Sequence, residues 1–114
     1  MTFYPADYIQ AGASDYPLPS GGSLSSVVTE TGATFTATTS NDVILCNSAA
    51  ITVNLPTSVG NTGKVFYIKN LHSTGIVTID PTGVELVDGN LKRFVTTKNE
   101  NLTLCSDNVG WKIL

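Results

Sequence analysis

From about Asp42 onward the chain is cut into short β-branched runs by turn residues, and this spacing constrains the fold more than any other feature. Val43-Ile44-Leu45-Cys46 is followed by Asn47-Ser48. In residues 50–55 the apolar Ile51, Val53 and Leu55 alternate with Thr52 and Asn54, and Pro56 ends the run because proline cannot donate to a ladder. Residues 57–63 read as a loop. Residues 64–71 (KVFYIKNL) then give a strong strand with Phe66 and Ile68 on one face and Val65 and Tyr67 on the other. His72-Ser73-Thr74-Gly75 has the composition of a hairpin connection. Residues 75–80 form a strand that Pro81-Thr82-Gly83 ends, and Glu85-Leu86-Val87 is a short strand stopped by Asp88-Gly89-Asn90, residues that supply the positive φ of tight turns. Residues 91–98, 101–105 and 111–114 complete the series.

Residues 24–30 and 33–38 can each add an edge strand around Thr31-Gly32. In none of the runs from Asp42 onward is a 3.6-residue period sustained, whereas Pro5 can open one or two helical turns that Gly12 would end. The expected fold is therefore all-β, a compact antiparallel β-sandwich or barrel of about eight to ten short strands. Residues 24–114 form this head domain, and residues 1–23 form an N-terminal docking arm and linker.

The arm differs in chemistry from the head. Phe3, Tyr4, Tyr8 and Tyr16 are four of eight Phe and Tyr residues in the whole chain, and Pro17, Pro19 and Ser20-Gly21-Gly22-Ser23 make a linker. Ile9 and Leu18 add aliphatic bulk. Aromatic side chains are enriched at interface hot spots, so Phe3, Tyr4, Tyr8, Ile9, Tyr16 and Leu18 read as a surface that docks on a partner. The alternative is that the arm folds back onto its own domain.

Charge excludes some partners. Only 13% of residues are charged, about half the share usual in a soluble domain, which points to an oligomer or a larger assembly. Six Lys and Arg against nine Asp and Glu leave no basic footprint for nucleic acid. No apolar run is long enough to cross a bilayer as a helix, and the first residues lack the pattern of a secretory signal. Synthesis in the cytosol is the expectation.

Candidate chemistry is sparse. His72 is the one histidine and falls in a turn, where it reads as solvated. Asp42, Asp80, Glu85, Asp88 and Asp107 fall at strand ends, where Asp caps local backbone amides; no calcium-loop spacing joins them. Cys46 and Cys105 lack metal-ligand spacing and sit in apolar runs, so they read as buried thiols or, failing that, as one disulfide. The expectation is a non-enzyme without metal or cofactor. Val65 and Tyr67, which would otherwise meet water on the second face of their strand, are the candidate trimer interface. Trp111, with Ile113 on the same face, is the candidate anchor of the last strand.

Residues 51–113 also resemble a module of bacteriophage virion proteins, including tail-fibre tips, head fibres and capsid decoration proteins. The resemblance rests on Ile-Thr-Val-Asn-Leu55-Pro56, on Gly63-Lys-Val-Phe-Tyr-Ile-Lys-Asn70, on Gly75-Ile-Val-Thr-Ile-Asp80, on Gly83 with Val87-Asp88-Gly89, and on Leu102-Thr-Leu-Cys-Ser-Asp-Asn-Val-Gly110-Trp-Lys-Ile113. It covers somewhat over half the chain. It implies a trimeric β-structure on a phage particle. Since the chain shows no shaft and no tail-binding domain, the expected role is a homotrimeric capsid decoration (cement) protein on the capsid surface, partnered by the major capsid protein or another virion protein. A short fibre or receptor-binding tip is the alternative, and a carbohydrate-binding module with a cell-surface glycan as partner is the third.

Overall fold

The computed structural model describes residues 26–114, so the arm and the six docking residues proposed within it lie outside the described residues. Nine strands follow in order: β1 Val27–Glu30, β2 Thr34–Thr36, β3 Val43–Cys46, β4 Ala50–Asn54, β5 Val65–Asn70, β6 Ile76–Asp80, β7 Arg93–Val95, β8 Asn101–Ser106 and β9 Trp111–Ile113. They make two sheets, one of five strands in the order β9-β8-β5-β3-β1 and one of four in the order β2-β4-β6-β7. No helix occurs among the described residues.

The all-β class and the strand count agree with the sequence. The antiparallel expectation does not hold. From β1 to β6 the chain alternates between the two sheets, and each strand pairs in parallel with the strand two places on: β1 with β3, β3 with β5, β2 with β4, and β4 with β6. Only β7, β8 and β9 run antiparallel to their neighbours. The first six strands therefore climb as coils of a two-sheet stack, and the last three close it. His72-Ser73-Thr74-Gly75 is accordingly a corner that carries the chain from one sheet to the other, and β5 and β6 share no ladder. Residues 85–87 do not form a strand; Val87 makes isolated bridges to Asn90 and Trp111.

The core lies between the sheets, and the alternation foreseen in the sequence fills it. Ile44, Cys46, Phe66, Ile68, Leu104 and Trp111 from one sheet meet Ile51, Val53, Val77, Ile79 and Val95 from the other, all buried. Trp111 is completely buried with its ring 5.4 Å from that of Phe66, as expected of it from the sequence. Ile113, on the same face, is partly buried against this core.

Polar corners fix the coils. Asn70 is fully buried on the core face of β5. Its side-chain amide donates to the carbonyls of Gly75 and Thr97, and its Oδ1 accepts the His72 N–H at 3.1 Å. Gly75 packs so closely here that a Cβ would lie 2.6 Å from the Ser48 carbonyl oxygen and 2.7 Å from Asn70 Oδ1. At another corner Lys64 Nζ donates to Asn41 O and pairs with Asp42 at 3.0 Å, over the ring of Phe66. At the closed pole, Asp88 (φ 47) and Gly89 (φ 81) make the tight turn anticipated from their composition.

Candidate assembly surface

A strand in a two-layer stack needs only one apolar face. β3 has two. Ile44 and Cys46 point into the core, while Val43 and Leu45 lie on the outer face of the five-stranded sheet, partly exposed. The neighbour β5 repeats the arrangement, with Val65, Tyr67 and Lys69 outward. Register then lines these side chains up across the sheet. Val27 faces Val43, Val43 faces Tyr67 and Tyr67 faces Thr103, and in the next row Val65 faces Cys105. The result is an apolar patch of Val27, Val43, Leu45, Val65, Tyr67 and Cys105, flanked by Thr29, Asn101 and Thr103, whose charges, Lys69 and Lys112, lie on different strands at either end.

The two candidate trimer residues, Val65 and Tyr67, thus come together on one face. Sequence reasoning missed Val27, Val43, Leu45 and Cys105, which complete that face. The uninterrupted apolar run Val43-Ile44-Leu45-Cys46 was the available signal, because an unbroken run marks a strand covered on both sides.

The outer face of the four-stranded sheet has another character. Thr34, Thr36, Thr52, Thr78 and Asn54 dominate it, with Ala50, Ile76 and the 57% exposed Phe94 toward one margin. Asp80 there pairs with Lys92 at 3.4 Å.

A cleft of about 320 Å³ opens at the pole closed by β9, between the turns that hold Val84, Leu86, Val109 and Lys112. Its carboxylate, Glu85, is committed to holding a loop: one oxygen accepts the Ser58 N–H at 2.9 Å and the other the Thr57 hydroxyl at 2.5 Å. Nearby, Asp107 accepts the N–H groups of Gly110 and Val109, which holds its carboxyl below the usual carboxylate range. His72 Nδ1 accepts the Thr74 N–H within its own turn. Among the described residues no three His, Cys, Asp or Glu side chains are grouped to hold a metal ion. Both cysteines are free thiols, Cys46 buried and Cys105 partly exposed on the outer sheet face, so they are not paired with each other.

No protein-family model, curated protein or solved structure matches this chain.

Proposed function

We propose that this chain is a structural protein of a bacteriophage particle, a homotrimeric capsid decoration protein that binds and stabilises the shell without performing chemistry. The observation that carries the assembly part is the second apolar face of the five-stranded sheet, built from Val27, Val43, Leu45, Val65 and Tyr67. Covering such a face removes apolar surface from water at about 25 cal/mol per Å², so packing it against a different patch of a neighbouring copy is favourable, and such heterologous contacts close as a ring of three. The virion part rests on the resemblance of residues 51–113, whose segments supply β4, β5, β6, β8 and β9 and hence most of the core.

Light scattering tests the first part, with an expected mass three times the 12.0 kDa of the chain. A monomer at micromolar concentration overturns it. Tyr67→Asp should give monomers that keep the β-rich circular dichroism of the parent. The second part is tested by sedimentation with empty capsids, where failure of the trimer to bind any capsid of the particle it accompanies would reject decoration.

One observation favours a second reading, a short fibre tip. Among the described residues the parallel stack ends in antiparallel strands at the β7–β9 pole, the arrangement a stack needs where it stops. Cryo-electron microscopy of the particle separates the two by the position of the density. A glycan role has less support, since the residues that line the cleft include no aromatic ring on which a sugar could stack.

A further inference from the structure

The outer face of the five-stranded sheet supplies only half of a ring contact. In a closed ring of like chains each contact joins two different patches, so a second patch is needed on the same chain. That patch must adjoin the first. A patch on the far side of the sandwich, where Thr34, Thr52 and Thr78 lie, would shift each copy along a line and extend an open stack. One cluster among the described residues adjoins the outer face. Three loops at the closed pole are tied to one another: the Glu85 carboxylate accepts from Thr57 and Ser58, the Gly60 N–H donates to Asn108 Oδ1 at 2.7 Å, and the Trp111 N–H donates to the Leu86 carbonyl at 2.9 Å. These ties hold Val59, Val84, Leu86 and Val109 out in water, with Val84 88% and Val109 77% exposed. Loops already braced in this way lose little freedom when their tips are buried.

Continuity and charge both point to a second copy as the occupant. Val84, Leu86 and Val109 line the cleft together with Lys112, which stands outward on β9 in register with Cys105, itself paired with Val65. The cluster therefore borders the outer face along β9. The outward residues of the five strands include Lys69 and Lys112 and no Asp or Glu. The loops of the cluster carry Glu85, Asp88 and Asp107, and Lys112 pairs with the last of these at 3.7 Å. A basic face and an acidic cluster complement each other, whereas two outer faces would set like charges together. Resting on the assembly reading above, we infer that the outer face of one copy seats the Val59, Val84 and Val109 tips of the next, so that each chain gives one patch and receives the other.

Two substitutions that spoil one patch each test this by mass. Val109→Asp alters an exposed loop tip, so it should keep the β-rich circular dichroism of the parent and scatter light as a single chain, as Tyr67→Asp should. Val84→Asp should behave as Val109→Asp does, which guards against a local effect on the 107–110 turn. Mixed in equal amounts, Tyr67→Asp and Val109→Asp should form a complex of twice the 12.0 kDa of the chain and nothing larger, because one variant keeps the intact cluster and the other the intact face. A parent of three chains whose Val109→Asp and Val84→Asp variants still hold three chains overturns the inference and leaves the trimer reading standing. Two single-chain variants that stay single when mixed overturn it as well. A parent that is itself a single chain overturns both readings.

Discussion

The parallel coils β1–β6 and the antiparallel closure β7–β9 reach a shared core by different means. In the coils, every strand has a like-directed neighbour, and the chain must turn between sheets at each corner. Those corners depend on buried polar contacts: Asn70 braces three backbone groups, and Asp42 with Lys64 ties two loops. In the closure, the turn at Asp88 and Gly89 and the capped turn at Asp107 are local, and the burial comes from Val87, Val95, Leu104 and, largest of them, Trp111. The coils therefore fail at specific polar joints, whereas the closure fails through lost packing.

The largest expected effect lies in the closure. Trp111→Ala should cost about 3–5 kcal/mol, because a completely buried ring in contact with Phe66 leaves a cavity that the sheets cannot fill. Trp111→Phe should lose far less, since the indole N–H donates to no described residue. Denaturant midpoints for the two variants check the prediction. Equal losses would mean that the indole N–H matters more than ring volume, and a melt within a few degrees of the parent for Trp111→Ala would remove the closure's dependence on packing.

The matching test in the coils is Gly75→Ala. The added methyl would press on the Ser48 carbonyl and on the Asn70 side chain, which cannot yield without breaking its hydrogen bonds to the Gly75 carbonyl and the His72 N–H. A loss of about 1–3 kcal/mol is expected, the range for overpacking. An unchanged melting temperature would show that the corner relaxes and would weaken the contrast drawn above.

These two residues also show what was legible in the sequence. Alternation placed Phe66, Ile68 and Trp111 in the core, and Asp88-Gly89 announced a tight turn, because both signals are local. Strand direction is not local. His72-Ser73-Thr74-Gly75 has the residues of a hairpin turn, yet it makes a corner whose geometry is set by Asn70 and by Ser48 from another coil. Nothing in those four residues records that contact. The outer sheet face was half legible: Val65 and Tyr67 came from alternation within one strand, but Val43 and Leu45 join them only through the parallel register of β3 with β5.

A smaller effect is expected at the Asp42 corner. Asp42→Ala removes the pairing with Lys64 and a carboxylate oxygen that accepts the Ser26 N–H. Both charged side chains are mostly but not wholly shielded, at 15% and 20% exposure, so about 1 kcal/mol is expected. The loss should also change little between low and moderate salt, which a series of melts would reveal. A loss that vanishes with added salt would reassign the pair to the solvent-exposed class.

The smallest effect sharpens the comparison through the two thiols, one in each region. Cys46 lies in the coils, buried beside Glu30 across the β1–β3 register, whereas Cys105 lies in the closure on the outer sheet face. Burial, with a lesser contribution from the Glu30 charge, pushes the Cys46 thiol from 9.0 up to about 11. At neutral pH a thiol reagent should therefore leave Cys46 untouched until the chain unfolds, while Cys105 should be labelled in the Tyr67→Asp variant, where the outer sheet face is uncovered. The sign of the pH effect follows from the same shift. Below pH 9 both folded and unfolded chains keep the proton, and Cys46 contributes no pH dependence. Between 9 and about 11 the unfolded chain gives up a proton that the folded chain retains, so rising pH favours unfolding across that window. Cys46→Val removes this titration, and its denaturant midpoint should fall less steeply than the parent's over the same range. Parallel curves for the two proteins, or rapid labelling of Cys46 in the folded state, would show that β1 does not seal this part of the core and that the coils are looser at the end where β1 lies than the closure is at the other.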